Sequence, residues 1–265
     1  MSATTAPAQG PAAKGPAVKA SAMRLLLFTE LKLYTRERTG PIVSIALPLL
    51  LLIIFGLIPT FKNANASLGG YNVLDTYVPV LIVLSLSLVS LTIMPGVLAS
   101  YREKGVLRRL QTTPVGPVRV LAAQLLINLV SAVLVVIMIL VVAKLAYNVA
   151  WPQQLAGFIV ATLLTAIALI SIGLFITAVA PTARSAQIIG GLSFYPLMFF
   201  AGLWYPLPLF SSVLRGICYA TPLGAAVQAM DDAGGGIWPH PEQLLTLVAY
   251  AVVFGAAATR FFRWE

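Results

Sequence analysis

Charge is what this chain has least of. Only 9% of its 265 residues are Asp, Glu, Lys or Arg, against about a quarter in an ordinary soluble domain. Cysteine is almost absent: Cys218 stands alone, which excludes an internal disulfide and a thiolate metal cluster. Histidine is equally scarce. His240 lies in the segment Trp238-Pro-His-Pro241 with no second histidine and no carboxylate cluster beside it, so a metal or catalytic role is not expected. Acidic residues number eight: Glu30, Glu37, Asp75, Glu103, Asp231, Asp232, Glu242 and Glu265. All fall in tails, in loops or at the ends of apolar segments. A carrier driven by protons or sodium ordinarily keeps an ionisable group in the middle of a span, where its cost is tolerated only for function. No such group is present. A phosphate-binding loop is missing too, because Gly10 and Gly15 have the first spacing but Pro16 stands where its lysine would be. Serines inside the apolar segments, such as Ser85, Ser87 and Ser171, have no general base in the pattern. They are expected to bond back to the backbone.

What is abundant is hydrophobicity, at 59% of residues with a mean hydropathy of +0.93. It is concentrated in six segments: Pro41–Pro59, Thr76–Ser100, Val118–Ala143, Gln154–Ala180, Ser185–Tyr205 and Gln243–Arg260. Each is close to the ~20 residues an α-helix needs to cross a bilayer. Lys and Arg divide unequally between the two sets of connections. Fourteen of the seventeen fall on one face, and Lys62, Lys144 and Arg215 alone on the other. The positive-inside rule makes the first face cytoplasmic and puts both termini there. The net charge of +9 then reflects loops lying against anionic headgroups, not a nucleic-acid partner. The expected fold is therefore an all-α membrane protein of six transmembrane helices.

Residues 1–22, rich in Ala, Pro, Gly and Lys, read as a disordered cytoplasmic tail without the apolar core of a signal peptide. Residues 23–265 form the membrane domain. Its first stretch, Met23–Arg38, sets Leu25, Phe28 and Leu31 at helical spacing against Arg24, Lys32, Arg36 and Arg38. That is the pattern of a helix lying in the headgroup plane; a helix docked on another protein is the alternative, and both hold if a partner sits under the membrane. Met94-Pro95-Gly96 should bend the second segment. The connection from Tyr205 to Glu242 is too apolar for a solvated loop. Its two short runs, Leu207–Tyr219 and Leu223–Met230, are split at Thr221-Pro222 and read as half-helices dipping in from the outer face. Arg215, the one cation on that hairpin, should sit at headgroup depth or pair with Asp231 or Asp232.

The largest cytoplasmic connection, Tyr101–Pro114, places Tyr101, Leu107 and Leu110 on one side of a short helix and Arg102 and Arg109 on the other. Such a helix between two spans either transmits a push from a partner below or merely anchors topology.

The run Arg102-Glu103-Lys104-Gly105, two leucines, Thr113-Pro114 and Arg119 resembles the loop between spans 2 and 3 of ABC exporter permeases of the ABC-2 type. Tyr195-Pro-Leu-Met-Phe-Phe-Ala-Gly202, Trp204-Tyr205-Pro206 and Thr221-Pro222-Leu223 are similar to that family's segment at span 5 and the outer half-helices, with Thr221 where Asn is commoner. Gln111-Thr-Thr-Pro114 looks most like the daunorubicin-type drug-exporter branch. The resemblance implies a permease without enzymatic activity, powered by ATP and Mg²⁺ on a separate ATP-binding subunit. Two permease copies and two ATPases would assemble in a bacterial plasma membrane for efflux of a drug, lipid or lipid-linked glycan, with antibiotic resistance as one outcome. It implies a connecting helix bearing Arg24, Phe28, Leu31 and Arg36. It further implies an ATPase-coupling segment of Tyr101, Arg102, Glu103, Gly105, Leu107, Leu110 and Pro114, and an outer gate around Tyr205, Arg215 and Pro222. A carrier or channel working without an ATPase is the competing expectation.

Overall fold

The computed structural model describes residues 39–62, 72–106 and 117–261. The tail, Arg24, Phe28, Leu31 and Arg36 of the expected connecting helix, and Leu107, Leu110 and Pro114 of the expected coupling segment all lie outside the described residues.

Among the described residues every regular element is helical. In chain order they are α1 (Thr39–Leu57), α2 (Val73–Glu103), α3 (Pro117–Tyr147), α4 (Leu155–Val179), α5 (Ala183–Phe200), α6 (Ser212–Ala220), α7 (Pro222–Gly234) and α8 (Pro241–Phe261). Four are long and apolar enough to cross a membrane: α2, the Gln124–Tyr147 part of α3, α4 and α8. The apolar run of α1, Ile42–Leu57, is shorter, and α5 has only 18 residues. The fifth apolar segment was expected to run to Tyr205. The helix stops at Phe200 because Gly202 turns the backbone to φ +83 and Pro206 cannot donate to a continuing ladder.

α2 is the central element. Leu81, Ile82, Val83 and Leu84 are fully buried, with α1, α3, α4, α5 and α7 all packed around it. The interruption takes a specific form, a π-helical turn over Leu88–Ile93 in which the Met94 N–H reaches back to Val89 O. The proline next in line is the cause. Pro95 has no N–H to offer Ser90 O or Leu91 O at either helical spacing, so the ladder loosens there. The two carbonyls that Pro95 cannot serve are covered by glycines. A Cβ on Gly173 of α4 would fall on Ser90 O, and one on Gly190 of α5 on Leu91 O. Only glycine lets the neighbouring backbones close over them.

α8 packs along α4, and α7 is inserted between α4, α8 and α2. The half-helix break at Thr221-Pro222 is present: Thr221 ends α6 and caps α7, its Oγ1 accepting from Gly224 N at 3.2 Å. Pro222 occupies the first helical position of α7, where its missing N–H costs nothing. Ser87 and Ser171 do return to carbonyls four residues back. Ser85 instead donates across to Ser44 O of α1 at 2.8 Å.

Candidate functional site

The expected coupling residues begin in the last turn of α2. Gly105, at φ +65, ends that helix; its N–H donates to Arg102 O at 3.0 Å, and the chain is helical again at Val106. Tyr101 faces α3, where its hydroxyl accepts from Gln124 Nε2 at 3.3 Å.

Arg102 and Glu103 turn the other way, toward the connection between α4 and α5. The Arg102 guanidinium donates from Nη1 to Thr177 O at 3.2 Å and from Nη2 to Ala180 O. Those carbonyls belong to the unsatisfied C-terminal end of α4, where a cation also meets the negative end of the helix dipole. Glu103 Oε1 accepts from Ala183 N at 2.9 Å. Ala183 opens α5, so the carboxylate meets the positive end of a second dipole. The same end carries a reciprocal cap in which Thr182 Oγ1 accepts from Ser185 N at 3.0 Å and Ser185 Oγ accepts from Thr182 N at 2.9 Å. Two adjacent side chains of opposite charge thus close the two helix ends at one turn. Hydrogen bonds to charged groups contribute about 1.5–3 kcal/mol where they are shielded. Glu103 is exposed, so solvent screening reduces its share well below that. None of this pairing, across 75 to 80 positions of sequence, was visible in the residue pattern.

At the opposite end of α2 lies the expected outer gate. Tyr205 stacks on Phe210 with ring centroids 5.3 Å apart, and Phe199 packs on Phe210 at 5.6 Å. Arg215 Nη2 donates to Pro208 O at 2.6 Å and to Phe210 O at 3.0 Å. Of the two alternatives expected for Arg215, headgroup depth or pairing with Asp231 or Asp232, the pairing is not formed. The 207–210 turn supplies carbonyls outside any long ladder, and the guanidinium satisfies them directly. Asp232 is occupied elsewhere, accepting from Gln243 Nε2 at 2.5 Å with His240 Nε2 4.0 Å away.

Asp231, expected only as a partner for Arg215, has surroundings that the sequence reading did not foresee. It lines a cleft of about 600 Å³, partly open to solvent, together with Asp75 of α2 and the apolar walls Val78, Leu140, Phe158 and Met230. Its own surface is open to the cleft, yet protein atoms crowd around it. Burial first, then the charges of Asp232 and Asp75, push its carboxyl up to about 6. The available signal was an Asp-Asp pair following an apolar half-helix, an unusual place for two like charges.

Among the described residues no group of histidine, cysteine and carboxylate side chains is arranged to hold a metal ion. No curated protein matches the chain closely enough to serve as a relative. The decisive comparison is with families: the model of the ABC-2 type transporter matches residues 21–233, which takes in α1 through nearly all of α7, and the chain belongs to that family of membrane-spanning transport components.

Proposed function

We propose that the chain is the permease subunit of an ATP-driven exporter that moves a hydrophobic or amphipathic substrate out across a bacterial plasma membrane. The family match over residues 21–233 carries this reading, since ABC-2 permeases normally work with an ATP-binding subunit. α1 and α5 serve as the remaining two spans, giving six with both termini cytoplasmic, in keeping with the division of basic residues. Two permease copies assemble with two ATPases, and ATP and Mg²⁺ reside on the latter. Of the possible cargoes we assign drugs, on the likeness of Gln111–Pro114 to the drug-exporter branch.

The segment from Tyr101 to Pro114 receives the ATPase, and 23–38 lies along the membrane surface beside it. α6 and α7 lie at the outer face, where Tyr205, Arg215 and Pro222 shape the exit. α6 is amphipathic and exposes Val213 and Ile217, which suits a helix at the interface; α7 is shielded by its neighbours.

The test is purification of the tagged chain in mild detergent after expression from its own locus. A co-purifying protein with a Walker A motif and vanadate-sensitive ATP hydrolysis is the expected outcome. Active transport by the chain with no ATPase attached would replace this reading with an autonomous carrier. Glu103→Ala should then abolish substrate-stimulated hydrolysis in the complex while leaving membrane insertion intact.

A further inference from the structure

We propose that Arg102 and Glu103 form a mechanical relay that carries a push received by the Tyr101–Pro114 segment, entering α2 at Lys104, into the α4–α5 turn. The cytoplasmic half of α2 and the adjoining ends of α4 and α5 then move as one block. The proposal rests on the reading of that segment as the ATPase-facing one, and it adds where the push goes next.

Two independent ties support it. The first is the charged pair, which grips both sides of one turn: Arg102 on Thr177 O and Ala180 O, Glu103 on Ala183 N. A fork of donors on one helix end and a carboxylate on the next fix direction as well as distance. The second tie lies further along α2, at the π-helical turn. There Gly173 and Gly190 close on Ser90 O and Leu91 O so tightly that no side chain fits between. The half-helix Met94–Glu103 is therefore held to α4 and α5 at both of its ends. A displacement entering at Lys104 has no slack to lose before it reaches Thr182. Tyr101, in the same turn, leads elsewhere, to Gln124 on α3.

The charges are suited to a relay because each bonds backbone at a helix terminus. Side-chain partners could rotate away, whereas a carbonyl or N–H at a helix end moves only with its helix. Glu103 is exposed and Arg102 half-buried, so both can be replaced without opening the core.

Spin-label distances in lipid nanodiscs test this, on a Cys218→Ser background with the ATP-binding subunit that co-purifies. Labels at Lys104→Cys and Arg184→Cys are each paired with an outer reference at Val213→Cys. In the otherwise unmodified complex, ATP with vanadate should shift both distances. In Arg102→Ala/Glu103→Ala, which keeps Tyr101 and the rest of the ATPase-facing segment, the 104 label should still shift and the 184 label should not; loss of both shifts would make the pair an ATPase contact and overturn the relay. Survival of the 184 shift in that variant overturns the relay. Glu103→Ala alone, at an exposed position, guards against a misfolded double variant and should lose part of the 184 shift; a full shift counts against the proposal. Without nucleotide, a 104–184 label pair should give a narrow distribution that broadens in the double variant. If the 104 label ignores nucleotide in the unmodified complex, the ATPase reading falls. The resting pair then decides the relay by itself, with broadening in its favour and an unchanged width against it.

Discussion

α2 and α8 look alike as sequence and live in opposite surroundings. Both are long apolar helices, with mean hydropathies of 2.3 and 1.7 over their most apolar stretches. In α2 that stretch is 83% buried against other helices, and in α8 it is 11% buried. Lipid tails are as apolar as leucine, so hydropathy measures fitness for the membrane and not position in the bundle. What separates the two is the backbone. α2 carries Pro79 and Pro95 and a π-helical turn, and its neighbours present glycine where its carbonyls emerge. α8 has Gly255, whose added Cβ would meet Ser171 Oγ at an ordinary 3.6 Å. Fine packing is concentrated around α2, and substitutions should expose the difference.

The largest contrast is expected from side-chain truncation. Leu84→Ala, at a fully buried site of α2, should cost about 2–5 kcal/mol. Val252→Ala, at a position of α8 that is 63% exposed, should stay within about 0.5 kcal/mol. Thermal unfolding in detergent measures both, and equal losses would erase the distinction between the helices.

Next come the glycines. Gly173→Ala and Gly190→Ala should each destabilise by about 1–3 kcal/mol, because the new methyl group meets backbone that cannot rotate away. Gly191→Ala, one residue along α5 with nothing within 4 Å of its added Cβ, should be neutral or slightly stabilising. A neutral Gly190→Ala would show that the π-helical turn is not held by close approach.

A smaller effect is expected from pH. Asp231 titrates at about 6 in the folded chain, above the 3.8 of a free carboxyl. Folding therefore favours its protonated form. That contribution is complete below pH 3.8 and is lost as pH rises through about 6. Asp231→Asn should raise the melting temperature at pH 8 relative to the parent and bring no comparable gain at pH 4. A constant offset across that range would mean the carboxyl is not desolvated.

The smallest concerns Arg215. Cys218 is fully buried, and burial pushes its thiol up, so maleimide should label it slowly in the folded protein. Arg215→Ala removes the ties to Pro208 O and Phe210 O and should speed labelling without a marked change in melting temperature. Unchanged kinetics would place the rigidity of α6 elsewhere, in the Tyr205–Phe210 stack.

Much of the architecture was legible because its signals are local. Runs of apolar residues marked the helices, Thr221-Pro222 marked the break between α6 and α7, and Met94-Pro95-Gly96 marked the place where α2 departs from a regular α-helix. The end of α5 was read too far because Ala201–Tyr205 stays apolar after the helix stops; only the backbone of Gly202 records the change. The partners of Arg102, Glu103 and Arg215 were illegible for a different reason. Each bonds main-chain atoms, and every residue type offers the same carbonyl and N–H, so no side-chain pattern announces the contact. Asp231 was located correctly at a helix end, but the cleft it shares with Asp75 depends on how two distant segments meet.

The π-helical turn also limits which motions remain to α2. A helix inside a bundle ordinarily has two inexpensive displacements, a slide along its axis and a rotation about it. Either one would lift Ser90 O and Leu91 O out of the recesses at Gly173 and Gly190. Tilting of the half that precedes the turn, about that point, keeps both oxygens seated. One absent hydrogen, on the nitrogen of Pro95, thus leaves the outer half of the central helix with the freedom of a rocker and removes that of a piston.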